Sequence, residues 1–143
     1  MRTSDSIDAP EALVLTMVLM SAADGGMSDR EIGVMSGLVQ TLPAFQDFTS
    51  TALASVTERA TVLLQEEEGL AHASRLICAA LSPRLRETAY VLACEVLAGG
   101  DGARRRSLDM LEFVRAEFGL DPLITAAIER GVRARYQRVD PVT

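Results

Sequence analysis

Tryptophan is absent from this 143-residue chain, and only four phenylalanines and two tyrosines supply aromatic bulk. The bulk of a core must come from Ala, Leu, Val and Met, the palette of a helical bundle rather than of a sandwich. There is one histidine, His72, and there are two cysteines, Cys78 and Cys94. The cysteines form no Cys-x-x-Cys pair and have no histidine at metal spacing. A single histidine also cannot supply the two Glu-x-x-His pairs of a carboxylate-bridged di-iron site. Gly-x-Ser-x-Gly, P-loop, dinucleotide and His-Glu-x-x-His signatures are all missing.

Positive charge is also short. The formal net charge of −6 disfavours nucleic acid on a broad basic face and a polybasic grip on anionic lipid. The run ALVLTMVLMSAA from Ala12 is too short to span a membrane. The opening MRTSDSIDAP lacks the basic start and apolar run of a signal peptide. The expectation is a soluble, cytoplasmic protein with no direct membrane insertion, whose partners are proteins or metal ions. No stretch alternates with period two for long enough to suggest a sheet.

What remains is helical signal along the whole chain. A helix capped by Asp8, with Pro10 in its first turn, runs to about Ala23 and is apolar on most faces, which places it at the centre of the domain. Asp24-Gly25-Gly26 closes it. Ser28-Asp29-Arg30-Glu31 has the capping-box pattern and opens a second helix, with Ile32, Met35, Leu38, Val39 and Leu42 at helical spacing before Pro43. A short turn over Ala44 to Phe48 leads to a third helix, capped by Thr49 or Ser50 and ending at about Glu67, with Gly69 as the break. Further helices cover Leu70 to Leu81, the stretch from Ser82-Pro83 to Ala98, Arg104 to Phe118, and Asp121-Pro122 to about Tyr136. The chain reads as one all-α domain over 1–143, a bundle of about seven helices with flexible ends at 1–8 and 137–143. Cys78 and Cys94, inside apolar helical runs, read as buried, reduced thiols.

Two stretches repeat. Met17–Leu42 and Tyr90–Phe118 each hold an apolar helix, a small-residue run, Asp-Gly, and an amphipathic helix closed by Pro43 or Gly119. Aligning those ends sets Ser107 opposite Glu31, so the second copy keeps Asp101-Gly102 but not the glutamate. Two similar hairpins bracketing a middle segment suggest a pseudo-symmetric bundle.

AADGGMSDREI, with the later GGDG…LDMLEFVRAEFGLD and its closing Phe118-Gly119-Leu120, resembles the TerB-like family, named for tellurite resistance. The resemblance spans most of the chain. It implies an all-helical fold whose corner acids cluster on one face and bind a divalent metal. It also implies a bacterial stress-response role beside membrane-associated tellurite-resistance partners. Two departures stand out: Ser107 replaces the second glutamate, and Arg104-Arg105-Arg106 precedes it.

The candidate metal ligands are Asp24, Glu31 and Asp101. Mg²⁺, Ca²⁺ and Mn²⁺ take oxygen ligands, and a cation would relieve repulsion between converging carboxylates. A twelve-residue EF-hand loop counted from Asp24 would end on Met35, which excludes that motif. Asp109, with Glu112 one turn on, is the weaker candidate, because such a pair is more often a solvated helix face. Against the metal, Asp-Gly is an ordinary turn and Glu31 is accounted for by capping Ser28. The three arginines read as a solvated patch, His72 as an ordinary residue, and the methionines as core filler. The resulting expectation is a non-enzymatic module that binds a divalent metal at its acidic corners, or mediates protein contacts. The alternatives are a metal-dependent enzyme using the same carboxylates, and a metal-free scaffold that forms a homodimer.

Overall fold

The computed structural model describes residues 6–23, 25–100 and 105–140. Seven α-helices follow one another: α1 (Ala9–Ala23), α2 (Asp29–Thr41), α3 (Ser50–Leu64), α4 (Gly69–Ala80), α5 (Pro83–Gly99), α6 (Arg105–Phe118) and α7 (Pro122–Arg135). No strand occurs among the described residues. The all-α expectation therefore holds.

Helix α1 is the axis of the bundle. Every side chain from Ala12 to Ser21 is buried. Helices α3, α4, α5 and α6 pack around it, so no face is left for solvent and none needs to be polar. Fully burying one Leu, Val or Met contributes about 1.5–3 kcal/mol, which makes this run the largest source of stability in the chain. The Thr16 hydroxyl, also buried, donates to the Ala12 carbonyl at 2.9 Å, so its polarity is satisfied within the helix. The start of α1 carries a full capping box. Asp8 accepts from the Glu11 amide at 3.0 Å, and Glu11 accepts from the Asp8 amide at 3.0 Å. Asp8 is thus part of the first helix turn, and Ile7 packs on the core, so the folded structure begins earlier than the expected flexible end at 1–8.

The hairpins α1–α2 and α5–α6 pack reciprocally. Helix α1 lies against α5, α2 lies on α5, and α6 lies on α1. The second helix of each hairpin therefore rests on the first helix of the other, as the internal repeat suggests. Helices α3 and α4 close the other side of α1, and α7 covers α5.

One boundary differs from the sequence expectation. Helix α3 stops at Leu64, before the acidic triplet, and Gly69 begins α4 rather than breaking a helix. The left-handed residue of this turn is Glu68, with φ 61°. Gly69 is needed for another reason: a Cβ there would sit 2.4 Å from the Leu63 carbonyl oxygen, which is backbone and cannot swing aside. Ending α3 early also sets Glu66, Glu67 and Glu68 directly before the N-terminus of α4, where a helix dipole favours acids.

Helices α4 and α6 are joined at their C-terminal ends. The Arg86 guanidinium donates to the carbonyls of Cys78 (2.7 Å) and Phe118 (3.5 Å). A cation beside two helix C-termini is favourably placed. The Ser74 hydroxyl donates to Glu117 at 2.6 Å across the same joint.

Candidate functional site

Glu31 is where the two hairpins touch. The Ser28 hydroxyl accepts from the Glu31 amide at 3.1 Å, and Glu31 Oε1 accepts from the Ser28 amide at 3.1 Å, which completes the expected capping box. An N3 glutamate normally looks into water, but this one is only 6% exposed. The reason is α5. A Cβ on Gly100 would lie 2.7 Å from Glu31 Cγ and 3.1 Å from Glu31 Oε2. A Cβ there would also meet the Val96 carbonyl oxygen at 2.8 Å, so a glycine at the end of α5 makes room for the carboxylate beside it. Gly99 meets the same crowding from the other side, where a Cβ would sit 2.8 Å from the Tyr136 hydroxyl and 2.8 Å from Val34.

One turn before that corner is a second buried carboxylate that sequence reasoning did not single out. Glu95 is 3% exposed. It accepts from Arg135 Nε at 2.5 Å and from the Tyr136 hydroxyl at 2.6 Å. These bonds hold the Arg135 guanidinium and the Tyr136 phenol above their ordinary pKa values. For Arg135 the Glu95 hydrogen bond leads, and for Tyr136 burial leads and the Glu95 bond adds to it.

A third polar cluster also joins α5 to α7. The Tyr90 hydroxyl donates to Glu129, which also accepts from Arg115 at 3.1 Å. Burial, then the Glu129 bond, pushes the Tyr90 phenol up. Burial, with Glu129 beside it, pushes the Cys94 thiol up to about 12. The sign that a reader of the sequence could have used is a lone acid inside VLACEVLA. A buried carboxylate must find a partner, but that partner is Arg135, 40 residues on.

Of the expected ligands, Glu31 is buried at the corner, and Asp24 and Asp101 lie outside the described residues, as does Arg104. Asp109 is exposed on α6. Glu112 is exposed as well, within 3.9 Å of Arg115. Among the described residues, no three His, Cys, Asp or Glu side chains gather as a metal site. Ser107, set opposite Glu31 by the repeat, is the third residue of α6 as Glu31 is of α2, and both are buried. His72 is half-buried, with Nδ1 3.6 Å from Glu66. Cys94 is buried, but Cys78 is only partly so, and both are free thiols. Equal burial of the two is therefore corrected: Cys78 sits at the edge of the α4–α6 joint, its thiol 3.5 Å from the Glu117 carbonyl. No helix among the described residues is long and apolar enough to cross a membrane.

No family model, curated protein or solved structure matches this chain.

Proposed function

We propose that the chain is a TerB-like, non-enzymatic module that holds a divalent cation where its two glycine corners meet, in a stress-response setting among protein partners. One observation supports this reading: Glu31 reaches from the first turn of α2 onto Gly100. A fixed carboxylate of the first hairpin thus lies beside the second corner, whose next residue in sequence is Asp101. The carboxylate can cap and ligate at once. Oε1 takes the Ser28 amide, and Oε2 is the nearer of the two carboxylate oxygens to Gly100. Mg²⁺, Ca²⁺ and Mn²⁺ each want about six or more oxygens. Glu31 would supply one or two, and Asp24, Asp101, carbonyls and water would complete the shell.

The test is thermal unfolding during titration with each of the three cations. A cation at about a hundredfold excess over its Kd adds roughly 2.7 kcal/mol, which raises Tm by several degrees for a domain of this size. Asp24→Asn removes the shift, and asparagine before glycine suits a turn as aspartate does. Ser28→Ala lowers stability by about 1 kcal/mol with or without metal, through the lost cap. A wild-type Tm unmoved by all three cations overturns the proposal.

A further inference from the structure

We propose that the groove between α6 and α7 docks an acidic amphipathic helix of a partner protein. The groove holds about 600 Å³, and its floor is α5 at Cys94, Leu97 and Ala98. Leu108 and Leu111 form one wall, and Val132 and Tyr136 form the other. Leu108 stands at the lip, 49% exposed, although it sits on a helix with abundant polar positions. The inference is separate from the cation joint and does not rest on it.

The charge at the rim identifies the partner's chemistry. Arg133 and Arg138 line the groove, and Arg105 and Arg106 begin the helix that carries Leu108. All four are exposed, and none forms an ion pair with a carboxylate among the described residues. Among the described residues Glu129 is the one carboxylate that lines the groove, and it and Glu95 below it are already bonded to arginines. Glu129 is held by Tyr90 and Arg115, and Glu95 by Arg135 and Tyr136. Residues 102–143 hold eight arginines against six acids, whereas residues 1–101 hold six against fourteen. Charges act over only about 8 Å at physiological salt, so the local arginines outweigh the net charge of the chain at this surface.

The shape selects a helix over a single acyl chain. Small-ligand sites enclose most of their ligand, whereas this groove is open along a half-exposed leucine and would leave an acyl chain wet. An amphipathic helix brings its own polar back. Its leucines at i, i+3, i+4 and i+7 fill the floor, and its flanking glutamates meet the arginines.

The experiment uses the full chain and a fluorescently labelled synthetic helix of about 18 residues, with leucines at that spacing and flanking glutamates. Anisotropy reads the binding, and amide chemical shifts map it. The expected result is saturable binding with shifts centred on Leu108, Leu111 and Val132. A probe with glutamine for glutamate should bind about tenfold more weakly, and so should R133E/R138E protein with the original probe. Leu108→Glu should abolish binding while leaving Tm in place, since the side chain is half exposed. Absence of saturable binding, equal binding of the glutamine probe, or unchanged affinity of the R133E/R138E protein overturns the proposal. So do shifts that map elsewhere, or laurate filling the groove where the helix does not. Self-association of the chain through this groove, read by sedimentation, would assign the surface to a second copy and overturn it equally.

Discussion

Helix α1 buries ten consecutive side chains and none of them is ionisable, whereas α5, packed against it, buries a phenol, a thiol and a carboxylate. Both helices are central, so burial alone does not explain the difference. What differs is the neighbours. Helices on several sides present apolar faces to α1. Helix α5 must also hold α7, which buries only Thr125 and Val132. A helix with so little apolar contact is fixed by directional bonds instead: Tyr90 to Glu129 in its middle, and Glu95 to Arg135 and Tyr136 at its end. Apolar burial thus builds the bundle, and hydrogen bonds set where α7 lies and how wide the groove beside it is.

The largest effect expected from that contrast is on α1. Leu13 is fully buried, and Leu13→Ala should cost roughly 2–5 kcal/mol in urea unfolding, with the whole chain melting as one unit. Glu95→Ala should cost less, roughly 2 kcal/mol, since it removes hydrogen bonds to one charged group that is itself partly solvated. Its damage should be local, with amide exchange rising along α7 and unchanged along α1. If exchange rises equally in both helices, the division between an apolar axis and a polar tether is wrong.

Most of the fold was readable because the caps and the apolar spacing agree. Ser28 with Glu31, Ser82 before Pro83, and Asp121 before Pro122 each cap the helix that their pattern announces. Helix α1 was readable as the axis from its apolar girth. What escaped is set by contacts distant in sequence. Gly69 looked like a break, but it is small because α3's last turn presses on it. Glu31 was readable as a cap, whereas its burial depends on α2 meeting the end of α5. Glu95 carries no local signal because its partners lie at the end of α7.

Alkaline pH sharpens the contrast further. The folded protein holds the Cys94 thiol at about 12 against an ordinary 9.0, and it raises the Tyr90 and Tyr136 phenols above their ordinary 10.0. Groups with raised folded pKa values stabilise fully below the unfolded values and cease to do so as pH climbs through the folded ones. Tm should therefore fall as pH rises from 9 towards 12, and Cys94→Ala should make that fall shallower. The same burial makes Cys94 slow to alkylate at pH 8, so one equivalent of reagent should enter the native protein first, at Cys78. Equal rates at both thiols would contradict the difference in their burial.

The smallest effect belongs to the charge on α1, which sits at its first turn rather than in its buried run. Burial raises the Glu11 carboxyl, but the Asp8 amide and then the Arg59 guanidinium, 2.8 Å away, outweigh it and hold the group below its ordinary 4.5. A carboxylate with a lowered folded pKa stabilises fully above the unfolded value, and that stability is lost as pH falls through the folded one. The acid limb of a Tm profile should carry this loss below pH 4.5. Arg59 is largely exposed, so the pair contributes at most about 1 kcal/mol. Glu11→Gln isolates the charge, because glutamine still accepts the Asp8 amide in the capping box. The variant should match wild type at pH 3 and fall slightly below it at pH 7. If the two profiles run parallel across the whole range, Glu11 carries none of the acid limb. The charge at the start of α1 then adds nothing to stability, and the capping bonds to Asp8 are all that Glu11 contributes.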